Sequence, residues 1–498
     1  MSCSEFMKGS ATDDCMENAR QTLHFLFCFC RGTRFSGAVF VFERRIVNLI
    51  FSGFTILFLC VSGSRSGKDS EKRKENTMGK SKIPETGIYD ARQLGTGRML
   101  LLGFQHMFAM FGATILVPIL TGLDVSNTLL FAGLGTLLFH LITGGKVPAF
   151  LGSSFAFLGG YATIAPMLGE QQNQPNLEML PYACFGVACA GLVYVILAAL
   201  FKAFGAKKVM RFFPPIVTGP IIIAIGLNLS SSAINNCTGN WWIAIAAILI
   251  IVAANIWGKG MIKIIPILLG VIGSYVLAVI AVIADPAVRD HLVQNVSEAE
   301  WFALPIKMEQ TVFGLFASGN ADPHKLLTAV ITIVPLSLAT MVEHIGDVSA
   351  ISSTCNRNYI EDPGLHRTLM GDGLATTLAA LFGAPANTTY GENTGVLALT
   401  KIYDPLVIRI AAVFACILSF CPKFEAIINT IPSGIIGGIS FVLYGMISAI
   451  GVRNVVENQV DFTNSRNLII AAVILVCALG FNSVGGITFG IGGVSVTL

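Results

Sequence analysis

From about residue 98 to the end of the chain, apolar runs of bilayer-spanning length recur, each closed by a short polar, glycine or proline stretch. The pattern predicts spans at 98–121, 126–143, 147–168, 180–202, 212–233, 241–258 and 262–284. A second set follows at 325–350, 364–383, 386–401, 405–422, 427–450 and 466–482, with part of a fourteenth span in "GFNSVGGITFGIGGVSVTL" at the end. The third and tenth spans are broken by proline and glycine. No extended polar linker divides the series, so residues 91–498 read as one polytopic, all-helical membrane domain.

Four carboxylates interrupt this apolar pattern: Glu343, Asp347, Asp372 and Glu392. A charge at mid-bilayer costs about 2.5–3.5 kcal/mol even on the lenient insertion scale, so such groups usually face a cavity and act on substrates or protons. Two of them stand in polar phrases suited to ligand contact, "MVEHIGD" (341–347) and "NTTYGENTG" (387–395). That combination points to a transporter.

Basic residues set the orientation. With the start inside, the inner loops hold Arg92, Arg98, Lys146, Lys202, Lys207, Lys208, Arg211, Lys259, Arg357, Arg367, Lys401, Arg453 and Arg466. The outer loops 121–126, 169–179 and 234–240 contain no Lys or Arg, and the long outer loop 285–324 is net acidic. This asymmetry predicts a cytoplasmic N-terminus for the membrane domain, in the cell membrane.

Composition agrees with the pattern. Of 498 residues, 54% are hydrophobic and 12% charged, about half the usual charged share of a soluble domain. The 12 cysteines form no metal or disulfide pattern, and "CFC" at 28–30 is too close for a CxxC site. No Walker phosphate loop, HExxH or GxSxG motif occurs, which argues against an ATP-driven pump and against an intramembrane enzyme.

The first 90 residues do not conform. The stretch 62–87 is polar, rich in Gly, Ser and Lys, and reads as disordered. The apolar stretch 46–63 admits two readings, an extra helix or an uncleaved signal-like segment. A third and favoured reading places the authentic start at Met78, which gives a short basic lead into the first span.

An internal repeat is visible. Gln105-His106 opens a polar patch in the first span, and Glu343-His344 does so in the eighth. Pro148 follows Gln105 by 43 residues, and Pro385 follows Glu343 by 42. Each proline starts a matching phrase, "PAFLGSSFAF" and "PANTTYGENT". Seven spans separate the copies, an odd number, so the halves have opposite orientation, the plan of many secondary transporters. Non-helical backbone at membrane depth is tolerated only where it is buried or lines a cavity. The broken spans are therefore expected to begin extended at Pro148, Gly152, Pro385, Gly391 and Gly395 and then to turn into short helices. Ser153, Ser154, Thr388 and Thr389 support such turns, and the free N–H groups at the half-helix starts suit a carbonyl-bearing ligand.

The phrases "QHMFAMFGATILVP" (105–118), "GKVPAFLGSSFAF" (145–157), "EHIGD" (343–347), "DPGLHR" (362–367) and "NTTYGENTGVLALTK" (387–401) strongly resemble the nucleobase–ascorbate transporter family, closest to its bacterial uracil permeases. The resemblance covers about residues 95–490. It implies fourteen spans in two inverted halves of seven, with a short strand before each half-helix of spans 3 and 10, the last span here being cut short. It implies a core of about 95–203 and 325–422 and a gate of about 212–284 and 424–498. The family's span-10 motif stands here as Glu392-Asn393-Thr394-Gly395 through Thr400-Lys401; purine-type members carry Gln first, so Glu392 tilts the choice toward uracil.

By that resemblance the chain imports uracil by proton symport. Uracil carries two N–H donors and two carbonyl acceptors. Glu343 and Glu392 match the family's acceptor positions, with Phe155 and Gly391 supplying backbone N–H. Tyr390 and Phe155 offer ring faces, and Ser154 and Asn393 complete the expected substrate set. Asp347 lies four residues after Glu343, on the same helical face. Glu343 is the expected coupling residue, supported by Asp347, His106 and Asp372; the coupling ion is the proton, and no other cofactor, metal or nucleic acid is implied. A homodimer through gate helices is carried over from related carriers. Alternatives on the same fold are a xanthine or urate permease and, in a different class, an anion carrier or channel, although a site displaying carboxylates rather than Arg or Lys repels anions.

Overall fold

The computed structural model describes residues 87–168, 174–209, 211, 214–282, 296–317, 319, 321–483, 488–491 and 494–497. The apolar stretch 46–63, the polar stretch 62–86 and the start at Met78 lie outside them. At each of the first thirteen predicted spans stands a helix, or a strand running into a helix. These are α1 (Thr96–Thr121), α2 (Val125–Ile142), β1 (Leu151–Ser153) with α3 (Leu158–Ile164), α4 (Leu180–Phe204), α5 (Pro215–Thr238), α6 (Trp241–Trp257) and α7 (Pro266–Val282). The second series is α8 (Pro323–Ile333) with α9 (Leu336–Thr354), α10 (Leu365–Leu381), β2 (Asn387–Thr389) with α11 (Gly391–Thr400), α12 (Pro405–Ser419), α13 (Pro422–Asn429), α14 (Ser433–Glu457) and α15 (Ser465–Ser483).

Among the described residues, six helices are long and apolar enough to cross a membrane, counting α8 and α9 as one. The pair α12–α13, bent by 82°, makes a seventh, and four shorter apolar helices accompany them. The helix breaks have local causes. Pro335 has no N–H to continue the ladder from α8 into α9, and Pro422 opens α13 after the bend. Starts are capped by side chains: Asp124 accepts from Asn127 N, Asn240 from Ile243 N and Asp404 from Leu406 N.

The predicted fourteenth span differs. Its first residues, 480–483, end α15, and the described residues beyond them form two antiparallel strands, β3 (Thr488–Ile491) and β4 (Val494–Thr497). Thr488, Ile491, Val494, Val496 and Thr497 are β-branched, which favours extended backbone over helix in a glycine-rich stretch.

Helix packing repeats between the two halves of the chain. Exchanging the two halves maps α2 onto α10 and α4 onto α12, and the packing of α2 on α12 reappears as that of α10 on α4. Likewise α1 packs on α12 as α8 packs on α4, and α14 packs on α6 as α5 packs on α15. The contacts α2–α10 and α5–α14 are their own images. Small residues let these backbones meet: a Cβ on Gly191 of α4 would lie 2.7 Å from the Gly373 carbonyl oxygen of α10, and the reverse distance is also 2.7 Å.

At the centre, β1 and β2 pair antiparallel, Leu151 opposite Thr389, Gly152 opposite Thr388 and Ser153 opposite Asn387. Every residue of both strands is buried. Their outward-facing groups are met by neighbouring helices. Leu151 N donates to Thr136 Oγ1 of α2 at 2.9 Å, Asn387 Nδ2 to the Phe131 carbonyl at 2.6 Å, and Thr376 Oγ1 of α10 to the Asn387 carbonyl at 2.6 Å. Two further ladder bonds extend the pair, Ser154 N to the Ala386 carbonyl and Tyr390 N to the Phe150 carbonyl, both 2.9 Å. Backbone at this depth is thus paired within the protein, as a membrane requires.

Two straps close the ends of the bundle. At one end Ile88 N donates to the Lys401 carbonyl at 2.8 Å, Tyr403 N to the Ile88 carbonyl at 2.7 Å, and Ala91 N to Asp404 Oδ2 at 2.7 Å. At the other, the segment 296–317 crosses the bend between α12 and α13. Ala303 N donates to the Phe420 carbonyl at 3.2 Å, Phe302 stacks on Phe420, and Lys307 Nζ lies 2.5 Å from Asp124 Oδ2 and 3.8 Å from Glu425 Oε1.

Candidate functional site

The strand pair delivers two half-helix starts to one place. After β1 the chain enters a 3-10 turn at Phe155 and then α3; after β2, Tyr390 is still extended and α11 begins at Gly391. The first N–H groups of each half-helix have no carbonyl one turn back, so both starts present donors and the positive end of a helix dipole. Glu392 stands in the first turn of α11.

Helix α9 brings the second acid. Glu343 lines a narrow cavity with Phe155, Ala156 and Ala339 on one side and Ile222 and Ile225 of α5 and Ile447 of α14 on the other. The cavity offers about 30 Å³, room for a water or two. Glu343, Asp347 and Glu392 are each partly exposed, and of these Glu343 lines the cavity, whereas Asp372 is fully buried. Asp347 touches Gly391, the residue before Glu392, and Asp372 touches His344, the residue after Glu343, so the four acids gather around α9 and the start of α11. No Lys or Arg forms an ion pair with any of the four among the described residues.

The other residues singled out from sequence are distributed around this cleft. Asp347 lies against Gly391, its Oδ1 3.3 Å from where a Cβ on that glycine would sit. His106 and Asn393 are joined: Asn393 Nδ2 is 3.1 Å from the His106 carbonyl oxygen and 3.2 Å from His106 Nδ1, which ties α11 to α1. Ser154 is buried and its N–H is spent on the strand ladder. Tyr390 is not presented to the cavity lining given by Glu343 and Phe155. Its ring packs over Gly152, 2.5 Å from where a Cβ there would sit, and its hydroxyl donates to the Ser153 carbonyl at 2.8 Å. Asp372 faces the strand: Thr389 Oγ1 donates to its Oδ1 at 3.0 Å, and His344 Nδ1 lies 3.0 Å from its Oδ2.

His344 and Thr389 in this arrangement were not singled out as site residues by sequence reading. The only signal for His344 was its place beside Glu343 in the repeated polar patch. Among the described residues no group of His, Cys, Asp or Glu has the geometry to hold a metal ion.

A mostly helical bundle with repeat symmetry, two broken spans joined by a strand pair, and acids beside them with no Lys or Arg partner among the described residues defines a multi-pass membrane permease and not an enzyme. The profile of the Permease family matches residues 97–485, and the chain belongs to this family, the nucleobase–ascorbate transporters. It is 40% identical over 396 residues to the uracil permease of Bacillus caldolyticus, covering 77% of this chain and 85% of that one. The uracil permease of Escherichia coli strain K12 is 36% identical over 386 residues, covering 75% and 83%. In fold the chain is similar to the transmembrane domain of a cyanobacterial bicarbonate transporter, BicA, with TM-score 0.57, 14% identity, and coverage of 80% and 98%. SLC26A9 is similar at TM-score 0.53, 12% identity, and coverage of 79% and 63%.

Proposed function

We propose that this permease imports uracil together with a proton, and that Glu343 and Glu392 grip the base. The observation that carries the reading is the pair of acids on α9 and α11 beside two half-helix starts, neither in an ion pair with Lys or Arg among the described residues. Uracil's two N–H groups meet carboxylate acceptors, and its carbonyls meet the N–H groups of Phe155 and Gly391. A site that matches both donors and acceptors discriminates strongly, because an analogue lacking a partner leaves a buried polar group unpaired, at roughly 1–3 kcal/mol or more.

The cavity is too small for a heterocyclic ring as it stands, and Ile222, Ile225 and Ile447 wall it on the α5–α14 side. Entry therefore requires α9 and α11 to part from α5 and α14. Four acids so close in a low dielectric cannot all be ionised at low cost, so one proton enters with the base and leaves with it. Glu343 holds that proton, with Asp347 next to it on the same face; His106 and Asp372 act from behind by orienting Asn393 and the strand. The N-terminus of the domain lies on the cytoplasmic side.

The uracil relatives and the carboxylate lining favour a pyrimidine over an anion, which these acids would repel. The test is radiolabelled uracil uptake in a strain lacking its own permease. Wild type should accumulate uracil, collapse with a protonophore, and resist competition by xanthine. Glu343→Gln should abolish accumulation. Sodium dependence without proton dependence, or displacement of uracil by excess xanthine, would sink the reading.

A further inference from the structure

His344 has no task in the transport chemistry above, yet its ring is only 1% exposed inside the carboxylate cluster. Successive residues on a helix point about 100° apart, so while Glu343 faces the cleft its neighbour faces the protein interior. There His344 Nδ1 lies 3.0 Å from Asp372 Oδ2 and 3.1 Å from Thr389 Oγ1. Thr389 Oγ1 donates to Asp372 Oδ1 at 3.0 Å, and Thr389 N to Asp372 Oδ2 at 3.4 Å. One carboxylate on α10 thus holds both a ring from α9 and a residue of β2. On the chain, His344 adjoins Glu343, and Thr389 precedes Glu392 by one short turn.

We propose that His344 is a positioning residue: through Asp372 and Thr389 it fixes α9 to β2 and so sets the separation of Glu343 and Glu392. This rests on those two acids being the ligand's acceptors. A ring with two N–H groups gains from the second acceptor only if both stand in register, to within about 0.5 Å. Among the described residues, this imidazole makes the only side-chain hydrogen bond between α9 and β2. Its Nε2 is buried without a hydrogen-bond partner, so the ring is held from one side, by Nδ1 alone. An asparagine in its place offers an amide N–H near the Nδ1 position; alanine offers none.

The test uses the full chain in membranes and two readouts. The first is uracil KM and maximal rate, normalised to protein present, for wild type, His344→Ala, His344→Asn and Thr389→Val. His344→Ala and Thr389→Val should each raise KM at least tenfold with the maximal rate within threefold, their double substitution should do no worse than either, and His344→Asn should return KM to within threefold of wild type. The second is the distance distribution between spin labels on Gly346→Cys of α9 and Gly395→Cys of α11, both positions with open space around a Cβ. It should widen at least twofold with His344→Ala or Thr389→Val and narrow again with His344→Asn. An unmoved distribution overturns the proposal whatever uptake shows, as does an unmoved KM in a wild type that transports uracil. If His344→Ala yields no protein, Thr389→Val carries the same two criteria. A wild type that takes up no uracil refutes the functional reading, while the label distances still decide this one.

Discussion

The Asp347 carboxylate occupies the space beside Gly391: its Oδ1 lies 3.3 Å from where that residue's Cβ would be. An acid on α9 therefore faces the first residue of α11 with no side chain between them. The bare backbone leaves the half-helix start uncovered, and it lets an acid of α9 touch the first residue of α11.

Gly391→Ala should therefore weaken transport without unfolding the carrier. The added methyl must displace Asp347 by a few tenths of an ångström and covers an N–H assigned to the ligand. Uracil KM should rise by at least tenfold, while the amount of protein in the membrane stays near wild type. An unchanged KM would remove Gly391 from the site.

Gly152→Ala should act on stability instead. A Cβ there meets the Tyr390 ring at 2.5 Å and Thr114 Oγ1 at 2.8 Å, and all three are locked by the Tyr390 hydroxyl's bond to Ser153. Overpacking of this kind costs about 1–3 kcal/mol. The melting temperature of detergent-solubilised protein should fall, and Tyr390→Phe should not relieve it, since the clash is with the ring.

Asn393→Ala should lower transport by loosening α11 from α1, because the amide bridges to both the carbonyl and the ring of His106. His106→Ala should give a similar loss, and the double substitution should cost little more than one alone, as expected for residues that share one contact. Additive losses, read from normalised uptake rates, would show that the two act separately.

Lys307→Met should destabilise the strap formed by residues 296–317. Asp124 is buried and serves as a helix cap as well as the partner of Lys307, so losing the cation leaves an acid uncompensated. Half of the lysine side chain is exposed and screened by water, which limits the cost to about 1–2 kcal/mol. Burial acts to lower the Lys307 pKa, but contact with Asp124 and the charges of Glu425 and Glu309 outweigh it and hold the ammonium above the ordinary lysine range. Stability from that charge is fully present below the ordinary lysine pKa and is lost as pH rises past the raised value. The gap between variant and wild-type melting temperatures should persist over roughly pH 6–9 and close only in strong alkali.

Much of this was legible in the sequence because the bilayer leaves few choices. A run of about 20 apolar residues has to become a helix, and proline with glycine at membrane depth has to be sheltered. Hence the helices at the first thirteen predicted spans and the extended stretches after Pro148 and Pro385 were within reach. What was not legible depends on rotation about a helix axis and on distant partners. His344 sits next to Glu343 in sequence yet points to Asp372, and the Tyr390 ring packs over Gly152. Lys307 looked like one charge in an acidic loop; only the fold puts it against Asp124. The end of the chain misled for a different reason: an apolar, glycine-rich stretch satisfies a hydropathy window equally well as helix or as hairpin.

The pairing of Leu151 with Thr389 also bears on how the molecule is made. The two strands come from different halves of the chain, so Leu151 is synthesised about 240 residues before its partner. At ordinary translation speeds that is a wait on the order of 10–50 s. Throughout it, a stretch of bare peptide groups must be shielded from lipid by neighbours or by the insertion machinery. A ribosome stalled anywhere before Thr389 leaves behind a helix bundle with an open seam at its centre, which cellular quality control can recognise.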